Sequence, residues 1–151
     1  MKKIASFLIV ASLASGAVAA QTPAPAQSNR TAGAPAFAAR KLTRADFDAL
    51  RANPSGLLVL DVRRPDELTS IGGFPAYLSI QAAELEKSLA WIPKDRVIVT
   101  VSNHAARAGR AADLLTKNGF NVAGAIGAQD YEAEGGTLVK IAPPAPRPAS
   151  N

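Results

Sequence analysis

Apolar residues along this chain fall into two patterns. Leu57-Leu58-Val59-Leu60-Asp61-Val62 and Val97-Ile98-Val99-Thr100-Val101 are short and apolar at consecutive positions. Both faces of each must therefore be covered, as in a buried strand of a parallel sheet. Elsewhere the apolar positions recur at helical spacing. Ala108, Ala111, Ala112 and Leu115 give Ala106 to Lys117 an apolar stripe, and Gly119 stands where a left-handed cap would end that helix. Ala82, Leu85 and Leu89 predict a helix over Gln81 to Ala90 in the same way. Thr43 is a suitable N-cap for a helix running to about Ala52, with Asp46 three residues on and Leu42 and Phe47 at the spacing of a hydrophobic staple. Asn53-Pro54-Ser55-Gly56 stops it.

The stretch after Val62 is rich in turn-forming residues and reads as a loop, followed by a short extended piece around Tyr77 to Ile80. Asn121 to Ala123 predicts a third short strand, and Ala128 to Glu134 a last short helix ended by Gly135-Gly136. Strands alternating with helices at this spacing argue an α/β fold, a parallel sheet with helices on both faces in a single domain. Ligands of such sheets sit beyond the carboxyl ends of the strands. Two loops lie there: Asp61-Val62-Arg63, and Ser102-Asn103-His104-Ala105-Ala106-Arg107.

The ends of the chain have a different composition. Lys2 and Lys3 precede an apolar run from Ile4 to Leu13, and Ala17-Val18-Ala19-Ala20 fits a signal-peptidase site after Ala19 or Ala20. The apolar run is shorter than the ~20 residues a membrane span needs. Residues 1–20 are thus expected to be a signal peptide, which sends the protein to the periplasm or outside the cell. No cysteine follows the site, which excludes a lipoprotein anchor. Gln21 to Arg40 is rich in Pro, Ala, Ser and Thr and is expected to be a disordered linker. Ala142 to Asn151 is expected to be a disordered Pro-rich tail, which leaves 41–141 as the domain.

Charge and composition narrow the chemistry. The formal net charge is +5, but two of the 17 Lys and Arg sit in the leader. The others are spread among 12 acidic residues with no basic stripe interleaved with aromatics, which argues against nucleic acid. With one histidine, no cysteine and no ligand-like spacing of carboxylates, neither a metal site nor a cofactor is expected. An exported chain without cysteine must also draw its stability from packing, not disulfides.

The order of the motifs resembles the rhodanese family. Leu60-Asp61-Val62-Arg63-Arg64-Pro65-Asp66-Glu67-Leu68 is similar to that family's D-V-R-x-x-x-E-[YF] opening, and Gly72-Gly73-Phe74-Pro75-Ala76-Tyr77 is a degraded form of its G-H-I-P-G-A. Ser102 to Arg107 resembles the C-x-x-G-x-R active loop. Ala111-Ala112-Asp113-Leu114-Leu115, Gly119-Phe120-Asn121-Val122 and Ile126-Gly127-Ala128-Gln129-Asp130-Tyr131 follow as the family's helix, strand entry and closing motif do. The resemblance covers nearly all of 42–138 and implies a rhodanese-like fold.

It also marks two departures. Counting back five from Arg107 places Ser102 at the position of the family's nucleophilic cysteine, where a persulfide forms. A serine hydroxyl stays protonated near neutrality and cannot form one. Ala105 replaces the loop's usual glycine. The expectation is therefore a domain without sulfurtransferase activity that acts as a binding or regulatory module. It would take a small oxyanion or a periplasmic protein partner at the former active loop. Arg107, with Arg63 from the neighbouring loop, would supply positive charge to a cradle of amides at a helix N-terminus. Structural roles stand beside these: Arg107 paired with Asp61 or capping loop carbonyls, and Asp61 and Glu67 holding loops together. The rival class is a hydrolase-like enzyme using Ser102 and His104, although a serine needs an adjacent base with its own orienting group, and the sequence shows no such partner for His104.

Overall fold

The computed structural model describes residues 36–143. The expected signal peptide lies outside them, as do most of the expected linker and all of the tail beyond Pro143.

Helix α1 spans Arg44–Arg51 and starts as its sequence requires. The Thr43 side chain accepts from the Asp46 amide, and the Asp46 carboxylate accepts from the Thr43 amide, a reciprocal cap contributing about 1 kcal/mol. Leu42 and Phe47 are buried in one cluster. A short 3-10 turn, Pro54–Gly56, leads into β1, Leu57–Asp61. Next comes α2, Pro65–Ile71, where a loop was expected, with Gly72 at its C-terminal end. Its first turn holds Pro65, Asp66 and Glu67, and Glu67 reaches back to the Arg64 amide at 3.0 Å. Proline at the first helical position and an acid two residues later are ordinary start signals, here hidden among turn-forming neighbours.

Strand β2 is only Leu78–Ser79. Gln81 to Ala90 is not the expected α-helix. Turns occupy its start, and a 3-10 helix, Glu86–Trp91, its end. Leu85 of the expected stripe is buried and Leu89 packs beside it, but Ala82 is exposed and its amide is spent on the Val62 carbonyl at 3.0 Å. Strand β3, Val97–Ser102, precedes α3, Ala105–Lys117, and Gly119 takes φ 79° behind it. The last strand, β4, Val122–Gly127, runs four residues beyond the expected third strand, and α4, Ala128–Ala133, follows directly.

All strand pairs are parallel, in the order β2-β1-β3-β4. Alternate strand residues enter two cores. Val59, Val99, Val101 and Ile126 face α1 and α4, where Phe47, Phe74 and Tyr131 pack edge to face with centroids 4.6 to 5.9 Å apart. Leu60, Val62 and Ile98 face Leu85, Ile92 and the α3 residues Ala111 and Leu115. Helices thus cover both faces. The alanines of α3 allow a close approach, and Thr100 Oγ1 donates to the Ala108 carbonyl at 2.8 Å.

The domain begins earlier than Lys41. The Ala38 and Ala39 amides donate to the Asp113 carboxylate at 2.8 and 2.7 Å, and the Arg40 carbonyl accepts from the Ala125 amide at 2.9 Å. The Phe37 ring lies against Gly109, where a Cβ would stand 2.1 Å from the ring. Residues 37–42 are therefore a strap along α3 and the outer edge of β4.

Candidate functional site

The strand order reverses between β1 and β3, so the loops that leave their carboxyl ends diverge and open a crevice. Both loops singled out from the sequence meet there. Ser102 ends β3, His104 caps α3, and Arg107 lies in the first turn of that helix.

Ser102 is 1% exposed. Its Oγ accepts from the Ala108 amide at 2.9 Å and donates to the His104 carbonyl. One donor and one acceptor from the main chain thus satisfy the hydroxyl. The His104 carbonyl is turned toward it, so the loop around position 102 is not a ring of amides alone. An inward carbonyl repels an anion as an amide attracts one.

Arg107 pairs with Glu67, not with Asp61. Its Nη1 and Nη2 donate to the two Glu67 oxygens at 3.0 and 2.7 Å, a bidentate bond between α3 and α2. Asn103 Nδ2 donates to the same carboxylate at 2.6 Å. The Arg107 guanidinium holds the Glu67 carboxyl down at about 2 from a usual 4.5, against the opposing pull of partial burial. Glu67 therefore ties both ends of the Asn103–Arg107 segment to α2.

Arg63 brings no charge to this crevice. It is fully buried and grips Asp61 through Nε, at 3.0 and 3.1 Å, and Nη2, at 2.7 Å, while its amide donates to the same carboxylate at 3.0 Å. Removing either partner of such a pair leaves an uncompensated buried charge, at a cost of about 3–5 kcal/mol. Asp61 and Arg63 hold the β1 loop together.

His104 does have a partner. Its Nδ1 lies 2.8 Å from Asp130 Oδ1 on α4, and Lys41 Nζ lies 3.0 Å from the other oxygen. Partial burial pushes the Asp130 carboxyl up, but hydrogen bonds from His104 and Lys41 prevail and hold it below the usual carboxylate range. The imidazole, 70% exposed, points its bond toward Asp130. Only the main-chain carbonyl of His104 bonds the Ser102 hydroxyl. An oriented histidine and a buried serine thus share a loop without forming a nucleophile–base pair. Asp130 and Lys41 were not singled out from the sequence, because the pairing spans α3 and β4.

Among the described residues no group of three or more His, Cys, Asp and Glu is placed to hold a metal ion, and no helix is long and apolar enough to cross a membrane.

No protein-family model and no curated protein matches the chain. Solved structures do. A rhodanese-related protein from Thermoplasma volcanium is 28% identical, covering 68% of this chain and 99% of its own, with a TM-score of 0.59. A protein of unknown function from Rhodopseudomonas palustris, described as a possible tyrosine phosphatase, is 24% identical over 67% of this chain and 85% of its own, with a TM-score of 0.58. A single-domain sulfurtransferase from Saccharomyces cerevisiae is 21% identical over 65% of this chain and 92% of its own, with a TM-score of 0.54. With the four-stranded parallel sheet and its two covered faces, these likenesses show that the described part of this chain has a rhodanese-like fold.

Proposed function

We propose that this protein is an exported rhodanese-like module that works by binding a protein partner rather than by sulfur transfer. Export rests on the charged, apolar and small-residue sequence of positions 1–20. The absence of sulfur transfer rests on a chain with no cysteine in 151 residues, and on Ser102 at the place where the family's thiol is expected. The observation that carries the reading is the closure of the Ser102 to Arg107 loop. Its hydroxyl is satisfied by main chain, and Arg107 is spent on Glu67. A small oxyanion would have to displace a bidentate carboxylate and face the His104 carbonyl. A partner can instead use the crevice surface as it stands. The hydrolase reading draws support from the His104–Asp130 pair, but among the described residues no hydroxyl bonds the imidazole.

The first test is catalytic. Purified protein given thiosulfate and cyanide should release thiocyanate at the rate of the protein-free blank. Sustained turnover by the wild-type chain, unchanged after further purification, would end this reading.

A further inference from the structure

Beside the crevice, between the turn that follows β2 and one flank of α3, runs a groove lined by Ala82, Leu85, Arg107, Arg110, Ala111 and Leu114. Its volume is about 210 Å³. That is below the roughly 300–1,000 Å³ of pockets that enclose a cofactor or drug-sized molecule, and suits one or two side chains. Its walls are apolar, and two guanidinium groups supply its charge. Arg107 is neutralised by Glu67, whereas Arg110 is exposed and has no carboxylate partner among the described residues. An apolar floor with one uncompensated cation at its side favours an occupant that is aliphatic and acidic at adjacent positions.

A second observation follows the groove residue Leu85 along the chain. Leu85 leads directly into the Glu86–Trp91 helix, whose far end carries Trp91, 82% exposed and the sole tryptophan of the protein. At ~2.0 Å per residue the helix sets Trp91 about 12 Å from the groove's edge. Exposed tryptophan is expensive to leave in water and is the residue type most enriched where partners bind tightly.

We propose that this groove is the docking site, and that its occupant is a short segment of a partner protein presenting an aliphatic side chain next to a carboxylate. The proposal rests on the binding reading above and specifies the chemistry of what is bound. The aliphatic group lies over Leu85, Ala111 and Leu114, the carboxylate meets Arg110, and flanking residues extend toward Trp91.

The test uses a displayed library of random dodecapeptides, selected against the immobilised full-length chain and separately against Arg110→Glu. Selection on the wild type should enrich Asp or Glu beside Leu, Ile or Val. Those peptides should shift Trp91 fluorescence and bind Arg110→Glu roughly fivefold or more weakly. Replacing their acid by lysine should restore binding to the variant. Arg110 is exposed and has no carboxylate partner among the described residues, so the variant should keep the wild-type circular dichroism, and Arg110→Gln, which removes the charge without reversing it, should give an intermediate loss. Enrichment without acids, or equal affinity for wild type and Arg110→Glu, would overturn the proposal. So would self-association of the chain that Arg110→Glu abolishes, which would assign the groove to a second copy. Amide shifts separate this failure from failure of the parent reading. Peptides that perturb Asn103 and His104 but not Ala82, Leu85 and Leu114 would leave the binding module standing with the wrong groove named.

Discussion

Glu67 and Arg107 stand 40 residues apart and meet in two parallel hydrogen bonds of 2.7 and 3.0 Å, joining α2 to α3 across the mouth of the crevice. Both are largely shielded, with side chains 13% and 29% exposed, so the pair is less screened than a surface ion pair.

Its pH dependence follows from the direction of the shift. The folded-state carboxyl titrates at about 2 and the ordinary value is 4.5. The stabilisation is therefore fully present above pH 4.5 and is lost as pH falls toward 2. Glu67→Gln should be less stable than wild type by roughly 1–3 kcal/mol at pH 6. Urea titrations should show that gap narrowing across the window from pH 4.5 to 2. A gap independent of pH would mean that the carboxylate's charge contributes nothing.

Anions offer a second check. Sulfate raises melting temperatures by exclusion from any protein surface, whereas a bound anion adds a term that depends on its site. Because Arg107 is already committed to Glu67, millimolar sulfate or thiosulfate should shift wild type and Arg107→Ala equally. A larger shift in wild type would revive the oxyanion cradle.

Ser102→Cys probes the loop itself. A thiol there would receive the Ala108 amide and the dipole of α3, which favour the thiolate. It would also face the His104 carbonyl at a position 1% exposed, and both oppose ionisation. With burial dominant, the thiol should titrate at or above the unperturbed value of ~8.5. The pH dependence of alkylation by iodoacetamide measures it. A midpoint more than about one unit below that value would show that the amides outweigh the carbonyl.

The strap makes a prediction whose sign reverses. Gly109 lies inside α3, where alanine would ordinarily be favoured by about 1 kcal/mol. A Cβ there stands 2.1 Å from the Phe37 ring. Gly109→Ala should therefore lower the melting temperature of the wild type and raise it in a Phe37→Ala background. Equal effects in both backgrounds would mean that the ring does not rest on this helix in solution.

Local signals carried much of the fold. The reciprocal cap at Thr43, the alanine stripe of α3 and the two continuous apolar strands lie within a dozen residues each, and all three took the expected form. Helix α2 was also locally written, in Pro65 and Glu67, but was masked by the turn-forming residues around it. Strand β4 was read short because Gly124 and Ala125, which follow the expected strand, lack branched side chains, and only pairing with β3 makes them a strand. The strap depended on one aromatic, Phe37, at the end of a stretch otherwise poor in large apolar residues. At the site, the residues of the two loops were legible and their pairings were not. Arg107 chose Glu67 over Asp61 because Arg63, two residues from Asp61, had already taken that carboxylate. His104 found Asp130 at a separation of 26 positions along the chain.

The strap also bears on how many copies can share a compartment. A sheet grows by adding strands to its open margins, the route by which folded proteins polymerise. Here Arg40 to Leu42 lie along the margin of β4, exchanging hydrogen bonds of 2.8 and 2.9 Å with Ala125. At the opposite margin β2 offers only Leu78 and Ser79. A neighbouring backbone finds almost no template at either side, so association between molecules is left to side chains, where specificity can be encoded.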